Sequence, residues 1–222
     1  MGEGAKSSKE IPSEVHQACL NGNFWHSADN NAKLCTEGAV ANMLFHMNLP
    51  DEAELFRTLV IKTDAEILLS LGLNHVPKRV HDPKKGMDPM EKCLWILETK
   101  FKCRRLTYLN PEQFKTASSV VSNLSKIDLP ILISIMGRES VYRHVVVVFR
   151  GRIIDFETIA PYPLTVSNVE CICGPKNPFK KLSRGYVICP SRTMKKSMQD
   201  TSDWGENTVR SKFPHLFSTK LL

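Results

Sequence analysis

A chain of 222 residues with 42% hydrophobic content is long enough to bury one sizeable core and too apolar to stay a solvated coil. No apolar run approaches the roughly 20 residues that cross a bilayer, and the polar stretch from Met1 to Pro12 has no hydrophobic segment of the signal-peptide kind. The formal charge of +7 favours acidic partners in general, nucleic acid and acidic protein surfaces among them, yet the cations are scattered or in short pairs such as Lys84-Lys85, Lys180-Lys181 and Lys195-Lys196, with no basic stripe interleaved with aromatics.

These features predict a soluble intracellular protein, cytoplasmic or nuclear, with no membrane partner. Seven cysteines is an odd number at irregular spacings, and a chain of this size does not depend on disulfide staples, so the thiols are expected to be reduced. Residues 1–12 read as a flexible leader, 13–190 as one folded domain, and 191–222 as a polar basic tail outside the core. Trp204, Phe213, Leu216 and Phe217 run against that last expectation, because aromatics in a tail often dock.

Along the chain, Ala39, Val40, Met43, Leu44 and Met47 recur at the spacing of an amphipathic helix that Pro50 must end. Asp51–Ile61 and Asp64–Leu71 repeat the pattern, the second stopping at Gly72. A Pro- and Lys-rich loop from Pro77 to Pro89 leads into a further helix marked by Met90, Leu94, Ile96 and Leu97, and Asn110-Pro111 has the cap-then-proline form of another helix start. The second half is β. Ile131–Ile135 and Val145–Phe149 are apolar, β-branched runs, Arg152–Phe156 pairs with the latter across Arg150-Gly151, and Gly185–Cys189 closes the sheet. Helices first and an antiparallel sheet second make an α+β fold.

One constellation carries chemistry. Cys35 lies where the polar stretch Asp29–Leu34 gives way to the helical pattern, so its sulfur falls at a helix N-terminus, where unpaired backbone N–H groups and the dipole favour a thiolate. Gly38, Ala39 and Ala41 keep the first turns slim, letting the thiol end press against a sheet. His144 stands just before the run Val145–Val148, at the mouth of a central strand. Asp155 is a carboxylate in the apolar run Ile153–Phe156, and burial there demands a partner. With Arg150-Gly151 as a two-residue loop, Phe149 faces Arg152, Val146 faces Asp155 and His144 faces Glu157. His144 and Asp155 then leave the same face one diagonal step apart, close enough for the carboxylate to orient the imidazole, with Glu157 as the competing orienter. A shift of one residue in the turn would put Asp155 on the opposite face.

The ordered set of Cys35 opening a helix with Gly38, Ala39, Ala41 and Asn42, then about a hundred residues on His144 before a β-branched strand, a short turn and an acidic strand, resembles the papain-like cysteine peptidases, most closely their bacteriocin-processing branch. The resemblance covers roughly residues 15–190 and is detailed only at the Cys35 helix and the His144–Glu157 hairpin. It implies a papain-like fold with the nucleophile helix packed on a C-terminal antiparallel sheet, no cofactor, and a protein or peptide substrate. Carried over residue by residue, it implies Cys35 as nucleophile, His144 as general base and then acid, and Asp155 as the group that fixes the ring. Such enzymes usually carry a Gln about six residues before the Cys, as an oxyanion donor; here that position is Asp29, which leaves Asn30 or Asn31 to supply the amide. Thr36 also replaces the Gly that commonly follows the Cys. These departures keep open a catalytically inactive protein-binding module of the same fold, and the charge keeps open a basic nucleic-acid-associated protein.

Other patterns carry less. Cys171-Ile172-Cys173 is too tight for a zinc knuckle and has only Cys189, Cys93 or Cys103 to complete it, so no metal site is expected. No phosphate-cradling loop, dinucleotide fingerprint or paired-carboxylate motif appears. His16, His26, His46, His75, His81 and His215 lack ligand spacing and read as surface or core residues.

Overall fold

The computed structural model describes residues 35–82, 86–106, 108–138, 143–158, 160–197 and 206–217. Among the described residues four helices come first: α1 (Cys35–His46), α2 (Pro50–Val60), α3 (Asp64–Leu71) and, after a two-stranded ribbon β1 (His81–Asp82) and β2 (Gly86–Met87), α4 (Pro89–Thr99). Their ends follow local chemistry. Thr63 and Glu66 close a reciprocal capping box on α3, Gly72 ends that helix at φ 65°, and the Asp88 carboxylate accepts from the N–H groups of Met90 and Glu91 to start α4. Asn110 does cap Pro111, but only a single 3-10 turn (Pro111–Gln113) results, correcting the expected helix start there. Phe114 leaves helical geometry to bury its ring, and the helix of this region, α5 (Ala117–Leu124), starts instead on the capping box of Thr116 with Ser119.

The sheet is six-stranded. Its elements are β3 (Arg104–Arg105), β4 (Ile131–Gly137), β5 (Arg143–Phe149), β6 (Arg152–Ile154), β7 (Tyr162–Pro163) and β8 (Phe179–Cys189), ordered β3-β8-β4-β5-β6-β7 with every neighbouring pair antiparallel. A short helix α6 (Val166–Cys171) joins β7 to β8. The β8 strand is far longer than the expected Gly185–Cys189 and lies inside the sheet, beside β4, where Gly185 lets Leu109 and Ile133 close over it. Mixed helix and antiparallel sheet make this an α+β protein.

Both faces of the sheet are covered, which is why its strands read as unbroken apolar runs. Leu132, Val145, Val147, Phe149 and Ile154 pack with α1 to α4, while Ile131, Ile133, Val146, Val148 and Ile153 pack with α5, α6 and the C-terminal segment. That segment is not a tail over its described part. Met194 of α7 (Arg192–Ser197), Val209 of α8 (Glu206–Lys212) and Leu216 are all buried, and Leu109 bridges Phe217 in β fashion, because apolar residues spaced among the cations supply a docking face. Residues 1–34, and with them the expected leader, lie outside the described residues. Among the described residues no helix is long and apolar enough to cross a membrane.

Helix α1 is the central element. Rather than being amphipathic it is buried from Thr36 to Leu44 without interruption, wrapped by α2 and α4 on one side and the sheet on the other. Gly38 faces the Phe156 ring so closely that a Cβ there would lie inside it. Replacing Gly38 with Ala should therefore cost about 1–3 kcal/mol through overpacking. Thermal unfolding should show a drop of several degrees for Gly38→Ala, partly restored when Phe156→Leu is added; an unchanged midpoint would mean that the two elements are not in contact.

Candidate active site

The hairpin of β5 and β6 has the register its sequence predicts. Phe149 pairs with Arg152, Val148 with Ile153 and Val147 with Ile154, and the two turn residues Arg150 and Gly151 both take positive φ, 49° and 69°. That is the I′ geometry whose twist suits a two-residue hairpin. Asp155 follows one step past the last paired residue, so it leaves the same face as His144.

The two side chains meet. His144 Nε2 lies 2.8 Å from Asp155 Oδ1, with the residues only 2% and 4% exposed. The carboxylate is held from two further directions, by the Glu157 backbone N–H on Oδ1 at 3.0 Å and by the Tyr162 hydroxyl on Oδ2 at 3.1 Å. Three donors on a buried carboxylate offset much of the cost of removing it from water. Burial and the Asp155 charge push the Tyr162 hydroxyl up, so it stays a donor at any working pH. Tyr162 was missed by sequence reasoning. It stands on the two-residue edge strand β7, seven residues past Asp155, and only the β6–β7 pairing of Ile153 with Tyr162 brings it back.

On its other side the imidazole makes a side-chain hydrogen bond with Cys35. With Nε2 given to Asp155, Nδ1 is the nitrogen left for the thiol. Glu157 Oε1 lies 3.9 Å from Nδ1 and its side chain is 56% exposed, so it is a peripheral charge, whereas the buried Asp155 carboxylate contacts the ring directly. Burial pulls the imidazole down, but the hydrogen bonds to Asp155 and Cys35 and the charges of Asp155 and Glu157 outweigh it and lift the ring to about 10.

Cys35 is the first residue of α1, half-buried, at the edge of a cavity of about 830 Å³. Thr36, Met90, Tyr108, Ser134 and Met136 share that lining. The structure thus brings Cys35, His144 and Asp155 into one chain of contacts. Asp29, Asn30 and Asn31 lie outside the described residues; Thr36 is buried against the cleft. Cys171 is exposed and Cys173 buried, its Sγ 3.8 Å from the Ile135 carbonyl, and the described residues hold no group of three metal-binding side chains. His46 is half-buried and lowered to about 4 by burial and by Arg152, whereas His75 and His215 are exposed. His16 and His26 lie outside the described residues.

Compared with protein-family models, with curated proteins and with solved structures, the chain matches none.

The pH dependence has a defined sign. Folding raises His144 from an ordinary 6.5 to about 10, so its contribution to stability is complete below pH 6.5 and is lost as pH climbs through about 10. Asp155→Asn keeps the shape and removes the charge. NMR titration of the His144 ring should then fall from about 10 back toward the ordinary range, and the decline in stability between pH 6.5 and 10 should flatten; a titration unmoved by the substitution would remove Asp155 from the assignment.

Proposed function

We propose that this chain is a papain-like cysteine hydrolase, a peptidase or isopeptidase acting on a protein or peptide through Cys35, His144 and Asp155. The observation that carries the reading is the imidazole held between a buried carboxylate at Nε2 and the Cys35 thiol, with that thiol on the wall of an open cleft. The order of parts supports it as well: a nucleophile on the first turn of a buried helix, then a base and its orienter on one antiparallel hairpin.

In this reading the Cys35 proton passes to His144 Nδ1, and the thiolate attacks the carbonyl carbon of the amide. The C–N bond breaks as the imidazolium returns that proton to the leaving nitrogen, and a thioester remains on Cys35. Water then attacks the thioester, His144 takes its proton, the C–S bond breaks, and the acid product departs with the thiol restored. Asp155 keeps Nε2 protonated so that Nδ1 is the basic nitrogen, and Tyr162 and the Glu157 N–H hold Asp155 in place for it. The Cys35 backbone N–H, at the start of the helix, is one donor for the oxyanion.

Alkylation by iodoacetamide, mapped by mass spectrometry, tests the reading without a substrate. At neutral pH Cys35 should react about tenfold or more faster than the exposed Cys171 in the same molecule. In His144→Ala that advantage should vanish. A Cys35 that reacts no faster than Cys171 and is indifferent to His144 would leave the fold as a binding module.

A further inference from the structure

The cleft beside Cys35 carries a charge that the hydrolysis chemistry does not need. Among the described residues five cationic side chains line it, Lys78, Arg79, Arg143, Lys181 and Arg184, against one acid, Asp88. Two of the five are already spent. Arg184 is paired with Asp88, and Arg79 is paired with Glu98 at 2.7 Å and Glu91 at 3.7 Å. Lys78, Arg143 and Lys181 have no ion-pair partner among the described residues, and all three are exposed. Glu112 lies in the field of Lys181, but its carboxylate is engaged by Lys115 at 2.6 Å.

The placement of Arg143 and Lys181 is set by strand register and not by chance proximity on a surface. Arg143 on β5 pairs with Met136 on β4, and Met136 pairs with Lys181 on β8. The next row is Val145, Ser134 and Arg184; β5 and β4 advance two residues between the rows and β8 advances three, across a register shift. Residues of both rows line the cleft that Cys35 borders. The unpaired cations therefore stand about 10 Å apart on either side of Met136, two strand spacings, a span that about three residues of an extended chain cover.

We propose that this cleft selects a polypeptide segment bearing carboxylates near the bond that Cys35 attacks, with Asp or Glu side chains received by Arg143 and Lys181 and an apolar side chain resting on Met136. The proposal rests on the hydrolase reading of Cys35 and adds its substrate class. A concave wall with three cations that no described acid neutralises attracts anions over several ångströms and penalises a like-charged ligand. A nucleic acid fits less well. Among the described residues the one aromatic lining the cleft is Tyr108, whose ring meets Tyr186 edge to face and whose hydroxyl donates to the Ser183 carbonyl, so the described wall offers no row of aromatics for successive bases to stack on.

Peptidyl vinyl sulfones supply the test. Three probes share one backbone and differ only in the residues flanking the electrophile, Glu, Gln or Lys, and the rate at which each modifies Cys35 is followed by mass spectrometry. On the unmodified full chain the Glu probe should react about tenfold faster than the Gln probe, with the Lys probe slowest, and the ordering should contract as salt is raised from about 50 to 500 mM. Lys181→Glu, a change at an exposed position, should narrow or invert the order. Equal rates for the three probes, or a faster Lys probe, would overturn the acidic preference. So would protection of Cys35 by a single-stranded oligonucleotide at lower concentration than by a Glu-rich peptide, which would assign the cations to nucleic acid. Iodoacetamide labelling run alongside separates the two levels: a fast, His144-dependent Cys35 with no probe preference defeats only the substrate class, and a sluggish Cys35 defeats the hydrolase reading itself.

Discussion

The burial of α1 against the β5–β6 hairpin is the contact from which the rest of the arrangement follows. A helix covered on every side can keep only one orientation, and here the only side chain small enough to meet the Phe156 ring is the hydrogen of Gly38. Phe156 is the neighbour of Asp155, and Gly38 is less than one turn from Cys35. The same approach that fills the core therefore sets the distance between the thiol and the imidazole–carboxylate pair. Packing at interior density turns what could be a loose encounter of two surface groups into a fixed geometry.

Polar groups taken into this interior are satisfied in two separate networks. The first is Asp155 with its three donors, at one end of the hairpin. The second ties α4 to the opposite edge of the sheet: Glu91 receives Arg105 at 2.6 Å and the Tyr186 hydroxyl at 3.0 Å, Glu98 receives Arg105 at 2.9 Å, and the Arg105 guanidinium lies 5.4 Å from the Tyr186 ring. Buried ion pairs of this kind fix geometry more than they add stability. The two networks lie toward opposite edges of the sheet, one at the β6–β7 side and the other at β3.

The elements that were legible in the sequence are those specified by nearby residues. Thr63 with Glu66 and Gly72 bound α3, and Arg150-Gly151 bounds the hairpin, because capping and turn chemistry act over three or four positions. From the turn, period-two counting carried Asp155 to the face of His144. Where reading failed, a longer-range contact had decided. Asn110-Pro111 has the local form of a helix start, yet the demand to bury Phe114 cut it to one turn. The stretch after Ser191 looks like a solvated tail in composition, yet Met194, Val209 and Leu216 found apolar surface to cover. Tyr162 carries no signal of its role, since an edge strand of two residues has no periodicity to read.

By itself the sequence determined the α+β class and, given a two-residue turn at Arg150-Gly151, the face shared by His144 and Asp155, because alternation along a strand is a property of the backbone that residue order can follow. Tertiary structure alone decided that Cys35, more than a hundred residues away, would stand at that same imidazole, that Tyr162 would brace the carboxylate, and that Lys78, Arg143 and Lys181 would line one cleft. Each of these depends on how a buried helix and six strands pack, and no local propensity encodes a distance between elements that meet only in the folded core.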